Sequence, residues 1–221
     1  MALVEIEHVW KTYRDHVDVH ALQDVSMELN RGEFAAVVGP SGSGKTTLLN
    51  MVGALDRPDR GAIRIGELEL TATPSDQLAD FRLQHLGFIF QSFNLFPVLT
   101  VIENLEFVPA LQRVSKKDRR EKAHDLLRAV GMADLAGKRP SELSGGQQQR
   151  AAVLRAILTE PDLVLADEPT ANLDSTNAGR LLDMMEQLNR DKGITFLFST
   201  HDPQVMERAR KLVRLKDGKV A

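Results

Sequence analysis

The stretch EFAAVVGPSGSGKTTLL, residues 33–49, is where the fold can be read. EFAAVV (Glu33–Val38) is a short apolar run bounded by turn signals and reads as a buried strand. KTTLLNMVGAL, starting at Lys45, reads as a helix. Between them stand Gly39, Gly44, Lys45 and Thr46 in the spacing G-x-x-x-x-G-K-[ST]. Glycines let backbone amides come close to a polyphosphate, and a helix N-terminus adds the positive end of its dipole. Lys45 is placed to reach the outer phosphates, and the Thr46 hydroxyl suits Mg2+. This is a Walker A loop, in the strand–loop–helix context the motif requires.

A second piece of chemistry lies far along the chain. LVLADEP (Leu163–Pro169) is an apolar strand that ends in two carboxylates. Asp167 suits Mg2+ through water, and Glu168 stands where it could polarise an attacking water. On its own the pair could equally be a surface acidic cap. No Asn-Lys-x-Asp guanine-reading motif occurs, which favours ATP over GTP. His201 follows the strand-like ITFLFST, and Gln91 follows the apolar LGFIF. Ligands gather at the carboxyl ends of strands in open α/β sheets, so Gln91, Glu168 and His201 are expected to converge.

LSGGQQQRAAVLRAIL, from Leu143, opens a strongly helical stretch with another glycine turn. Ser144 is a good N-cap, so a plain capped helix is one reading. The other is a second anion cradle. One chain with one Walker A loop has no evident use for two cradles, and the economical reading is that the second serves the nucleotide of another subunit.

The rest of the composition narrows the class. The chain has 221 residues and a net charge of -3, which argues against a dedicated nucleic-acid binder. It contains no cysteine, so disulfides and thiolate metal sites are excluded and an intracellular setting is compatible. MALVEIEHVW does not read as a secretory signal. No run approaches the roughly 18 apolar residues of a spanning helix, so a role at a membrane would need another chain.

LSGGQ, the Walker A loop and LADEP together resemble the nucleotide-binding subunit of an ATP-binding cassette (ABC) transporter, over essentially the whole chain. The resemblance implies an α/β fold: a P-loop NTPase core with an N-terminal antiparallel β-subdomain and an inserted α-helical subdomain. It implies ATP and Mg2+ as cofactors. Tyr13 then matches the aromatic that stacks on adenine. Gly39 and Pro40 lead into the phosphate loop, Ser41, Gly42, Ser43, Gly44, Lys45, Thr46 and Thr47. Gln91 matches a glutamine that touches Mg2+ and senses a membrane partner. Ser144, Gly145, Gly146 and Gln147 match the signature that closes on the γ-phosphate held by a second copy. Asp174, in ANLD, matches the D-loop and His201 the switch histidine. The expected catalytic set is Glu168, His201 and Lys45, and the expected metal set is Thr46, Gln91 and Asp167. Thr46 stands where serine is commoner, and Ala171 where close relatives often have glycine.

The pattern along the chain agrees with this division. To about residue 30, apolar and polar residues alternate and read as antiparallel strands. From Glu33 the pattern becomes strand–helix–strand. Residues 92–161 read as helical, which leaves 1–91 and 162–221 as the nucleotide-binding core of a single domain, 1–221. KKDRREK (Lys116–Lys122) reads as a solvated helix face. DHVDVH holds His16, Asp18 and His20 at alternate positions, but without further ligands nearby it reads as exposed strand or loop. Met184 and Met185 read as helix packing.

FNLFPVLTVIENLEFV follows Gln91, and Phe93, Leu95, Phe96 and Leu99 cluster there around Pro97. An apolar loop at that place suits docking to another protein. LGFIFQSFNLFPVLTVIENLEF and LADEPTANLD resemble the branch of lipoprotein-releasing (LolD-like) and macrolide-export (MacB-like) ATPases, with FtsE-like cell-division proteins nearby. The resemblance implies a homodimer around two ATP and a membrane subunit of the MacB, LolC/LolE or FtsX kind. It also implies a peripheral position on the cytoplasmic face of the inner membrane, and no nucleic-acid partner. A regulatory FtsE-like ATPase acting on a cell-wall hydrolase is the alternative.

Overall fold

The alternating residues of the N-terminus form a long antiparallel hairpin, β1 (Ala2–Arg14) and β2 (Asp18–Asn30). Its inner face buries Val4, Ile6, Val9, Leu22, Val25, Met27 and Leu29, the alternation of a half-buried sheet interrupted by irregularities in the β1–β2 register. The structure is a computed structural model and describes residues 2–14 and 18–221.

Next comes β3 (Phe34–Val38), in which every residue is buried, then the glycine loop and α1 (Lys45–Val52). The chain then returns to the hairpin. β4 (Arg60–Ile65) pairs antiparallel with β1, and β5 (Leu68–Glu69) pairs with β4, giving the order β2-β1-β4-β5. This corrects the sequence reading, in which the antiparallel part stopped near residue 30. The pairing of β4 with β1 spans more than fifty residues of chain, and no local pattern announces it.

The remaining elements are α2 (Ser75–His85), β6 (Leu86–Ile89), α3 (Val101–Leu111), α4 (Lys116–Ala129) and α5 (Gly145–Ile157). They are followed by β7 (Leu163–Asp167), α6 (Ser175–Lys192), β8 (Thr195–Thr200), α7 (Pro203–Arg208), β9 (Lys211–Lys216) and β10 (Lys219–Val220). Between β6 and β7 the described chain is helices, 3-10 turns and loops without a strand. The second sheet runs β10-β9-β3-β8-β7-β6, with β3 and β6 to β9 all parallel.

A parallel sheet must be covered on both faces, and β3 shows how. Phe34, Ala36 and Val38 point into one apolar cluster, where Val101, Leu105, Leu127 and Leu154 of the helical segment pack with Ile89, Val164 and Phe198. Ala35 and Val37 point into the other, with α1 (Leu48, Val52), Leu165, Leu197 and the inner face of the hairpin. The helical segment and the strands that carry the site therefore share one core. Met184 and Met185 are buried in it, whereas most of Lys116–Lys122 is exposed. No helix of the described residues is long and apolar enough to cross a membrane.

Candidate active site

Because β3, β6, β7 and β8 run parallel, their carboxyl ends lie along one edge of the sheet. That edge delivers the glycine loop after β3, Gln91 after β6, Asp167 and Glu168 at the end of β7, and His201 after β8. They open onto a cleft of about 530 Å3 whose walls include Tyr13, Ser41, Lys45, Thr46, Gln91, Glu168 and His201.

The glycines of the loop are held by close backbone approach. A Cβ on Gly39 would lie 2.1 Å from the Leu215 carbonyl oxygen, and one on Gly44 would lie 2.3 Å from that of Ala21. Gly44 also has a φ of 102°, which favours glycine, and it caps the N-terminus of α1. Ser43 Oγ is buried with no hydrogen-bond partner among the described residues. A buried polar orphan in a glycine-built loop at a helix N-terminus fits a phosphate-binding cradle.

Lys45 is nearly buried, and its Nζ donates to the carbonyls of Gly39 (2.9 Å) and Pro40 (3.0 Å). The same Nζ is 3.8 Å from Glu168 Oε1. Thr46 Oγ1 lies 3.1 Å from both carboxylate oxygens of Asp167. A hydroxyl beside a carboxylate is a hard-oxygen donor set of the kind Mg2+ takes with phosphates, so these residues fit that ion.

Glu168 is the most constrained residue of the site. Its φ is 45°, a left-handed conformation that a non-glycine residue keeps only when its surroundings enforce it. Here its N–H donates to the Ser199 carbonyl at 2.9 Å. Thr200 Oγ1 donates to Glu168 Oε2 at 3.3 Å, and His201 Nδ1 pairs with Oε1 at 2.9 Å. The carboxylate is thus aimed by the end of β8, between a lysine and a histidine.

Tyr13 is 41% exposed and forms one wall of the cleft. Its hydroxyl donates to Asp56 Oδ2 at 2.8 Å. Lys11 Nζ sits 5.1 Å from the ring centroid and donates to Asp56 Oδ1 and to the Arg57 carbonyl, each at 2.7 Å. Burial, reinforced by the hydrogen bond to Asp56, pushes the Tyr13 hydroxyl above its ordinary pKa. Burial acts on Asp56 in the raising sense too, but the donors Lys11, Tyr13 and the Arg57 N–H outweigh it and hold its carboxyl below the usual range.

Ser144 to Gln147 do not line this cleft. They form a capping box on α5, in which Ser144 Oγ accepts from the Gln147 N–H (3.3 Å) and Gln147 Oε1 accepts from the Ser144 N–H (2.9 Å). Asp174 caps α6, accepting from the Asn177 N–H at 2.8 Å and from Asn177 Nδ2 at 2.6 Å. These bonds, the backbone one first, hold its carboxyl below the ordinary range. A Cβ on Gly146 would meet Asn177 at 3.0 Å, so the glycine turn and the start of α6 pack tightly.

Several neighbours had no signal in the sequence. Lys11, Asp56 and Thr200 act through contacts between distant segments. Gln149, fully buried, donates from Nε2 to the Pro169 carbonyl (2.8 Å) and to that of Phe90 (3.4 Å), joining α5 to the chain beside Glu168 and Gln91. His20 lines the cleft and pairs with Thr12 Oγ1 at 3.0 Å, whereas His16 lies outside the described residues.

Beside the cleft, an apolar groove of about 350 Å3 is lined by Phe88, Phe90, Phe96 and Phe107 with Arg82 and Arg155. The rings of Phe96 and Phe107 are 4.5 Å apart between centroids. Arg155, on α5, donates to the carbonyls of Asn94 (2.5 Å) and Phe93 (3.3 Å), and burial lowers its pKa.

Known proteins resemble this chain over nearly its whole length. The family described as ABC transporter matches residues 22–171. The ABC transporter ATP-binding protein YxdL of Bacillus subtilis is 43% identical over 99% of this chain and 85% of its own length. The macrolide export ATP-binding/permease protein MacB of Syntrophobacter fumaroxidans is 43% identical over 99% of this chain, which spans only 31% of that relative. The dimeric structure of a post-hydrolysis state of the ATP-binding cassette MJ0796, bound to ADP and Pi, superposes with a TM-score of 0.89 at 37% identity, covering 98% of this chain and 96% of that one.

Proposed function

The chain belongs to the ABC transporter family as an ATP-binding cassette ATPase, and from that premise we propose that two copies close around two Mg-ATP to drive a separate membrane subunit of the MacB or LolC/LolE kind. The observation that carries the reading is the placing of Glu168 between Lys45 and His201 at the edge where four parallel strands end.

In the proposed reaction Tyr13 stacks on the base. Loop residues 39–47 cradle the phosphates, with Lys45 turning from the Gly39 and Pro40 carbonyls to the outer phosphate oxygens. Thr46, Asp167 and Gln91 hold Mg2+, which when bound supplies positive charge against the phosphates. Water attacks the γ-phosphorus, its proton passes to Glu168, and ADP leaves. His201 holds Glu168 at rest and contacts the γ-phosphate in the closed state. Ser144–Gln147 of the second copy, with Asp174 at the facing helix start, complete each site.

Residues 92–161 act as the lobe that carries the signature, beside the nucleotide-binding core formed by 1–91 and 162–221. The groove at Phe96 and Phe107 receives the membrane subunit, which places the cassette at the cytoplasmic face of a membrane. The relatives named MacB and the NLD of LADEPTANLD support the export or lipoprotein-release branch.

Single-turnover hydrolysis and equilibrium ATP binding of three variants test the assignment. Glutamine keeps the shape of Glu168 but cannot take the proton, so Glu168→Gln keeps ATP binding and slows hydrolysis by about 10²- to 10⁴-fold. His201→Ala behaves similarly. Asp167→Asn weakens Mg-ATP binding as well. Wild-type hydrolysis by Glu168→Gln would remove Glu168 as the base.

A further inference from the structure

The phosphate loop and Tyr13 meet the same ligand from elements far apart in sequence, and a connection behind the ring ties them together, beside the contact of the Tyr13 hydroxyl with Thr47 of the loop. The turn after α1 is bound back onto that helix: the N–H groups of Leu55 and Asp56 donate to the Asn50 carbonyl at 2.8 and 3.3 Å, and that of Ala54 to Met51 at 3.0 Å. Asp56 is thereby a rigid extension of the helix that begins at Lys45. Its two oxygens are both committed, Oδ2 to the Tyr13 hydroxyl and Oδ1 to Lys11 and the Arg57 N–H.

Lys11 completes the clamp. Its side chain is only 12% exposed, and it covers one face of the Tyr13 ring while gripping Asp56 and the Arg57 carbonyl. Neither Lys11 nor Asp56 lines the cleft, although Tyr13 does. The tyrosine hydroxyl is therefore held from behind, one ring face is covered by a cation, and the wall it offers to the cleft has a set orientation.

We propose that Asp56 and Lys11 are positioning residues for nucleobase recognition: together they hold the Tyr13 ring at a set place relative to the phosphate loop, so that a triphosphate carrying a purine base is preferred over the triphosphate alone. This rests on the reading of Tyr13 as the base platform. An aromatic ring gives stacking energy only when its plane matches that of the base. A ring on an exposed strand would lose part of that energy in being ordered at each binding event, and the clamp removes the loss beforehand.

The test compares equilibrium binding of ATP with that of inorganic tripolyphosphate, both with Mg2+, to the isolated chain. Tyr13→Ala reports the whole contribution of the ring, an expected loss of about 5- to 100-fold for ATP with tripolyphosphate affinity unchanged. Asp56→Ala is expected to lose about 5-fold for ATP, again with tripolyphosphate unchanged. Asp56→Asn, which keeps the shape but replaces one of the two acceptor oxygens with an amide group, shows a smaller loss of the same selectivity and guards against a folding defect in the alanine variant. In the Tyr13→Ala background Asp56→Ala has no further effect, because no ring remains to be held.

Equal losses for both ligands, an unchanged ATP affinity in both Asp56 variants, or a full additional loss in the double variant would each overturn the positioning role. If Tyr13→Ala itself leaves the ratio of the two affinities unchanged, the platform reading fails along with the proposal. That outcome is distinguished by the single tyrosine variant alone.

Discussion

The Lys45 ammonium is surrounded by two loop carbonyls and the nearby Glu168 carboxylate. Binding a triphosphate exchanges the two carbonyls for charged phosphate oxygens, and a hydrogen bond to a charged group is worth about 1.5–3 kcal/mol. Lys45→Ala should therefore weaken ATP binding by about 10- to 100-fold, as read by equilibrium titration. An unchanged affinity would show that the loop does not bind phosphate. Lys45 and Thr46 were legible because a phosphate cradle is built from neighbours in sequence. Glu168 was legible as a carboxylate at a strand end, but its left-handed φ and its grip by Thr200 were not, because both arise from β8 lying beside β7. For the same reason Tyr13 was readable as an aromatic, and Asp56 behind it was invisible.

Among the elements, the segment from Gln91 to α3 shows how an exposed apolar loop can be well ordered. Asn104, fully buried on α3, accepts from the Phe96 N–H at 2.7 Å and donates to the carbonyls of Phe96, Leu99 and Thr100. Arg155 holds the Phe93 and Asn94 carbonyls from the other side. The backbone is thus set by polar side chains while Phe96 stays 39% exposed and Val98 73% exposed. Phe96→Asp should leave folding and the ATPase activity of the isolated chain intact, and abolish co-purification with the membrane subunit. Loss of the folded state, seen as a lost thermal transition, would mean that Phe96 belongs to the core. The apolar composition of this loop was legible, and so were α1 and α5, each introduced by a glycine turn. α2 was not: it buries Leu78 alone, so its apolar pattern is too faint to announce a helix. β4 and β5 escaped because strands that join a sheet formed much earlier carry no label of their partner.

At the scale of the whole molecule, Ser144–Gln147 stay apart from the cleft of their own chain, and their side-chain and backbone groups form a local cap. In the proposed sandwich, the cradle at the start of α5 meets its ligand in a second copy. A base-deficient variant that binds ATP without consuming it should make this visible. Light scattering of Glu168→Gln should show a doubling of mass on adding Mg-ATP, reversed when the nucleotide is removed. A monomer in both conditions would count against a sandwich formed by this chain alone. The sequence pointed to this arrangement through the surplus of one cradle. It did not show that the helical segment and the nucleotide strands share a core, since that is a property of packing and not of any motif.

The glycines of the phosphate loop carry an evolutionary consequence. The atoms that would collide with a side chain at Gly39 and Gly44 include the carbonyl oxygens of Leu215 and Ala21, main-chain atoms present whatever residue stands there. Gly53 differs, because two of the three atoms closest to its missing Cβ belong to the side chains of Phe88 and Leu165. A substitution at Gly53 has suppressors within reach, since a smaller neighbour can make room. At Gly39 and Gly44 no exchange of a neighbouring side chain removes the obstacle, so a lineage that loses either glycine can recover only by reversion.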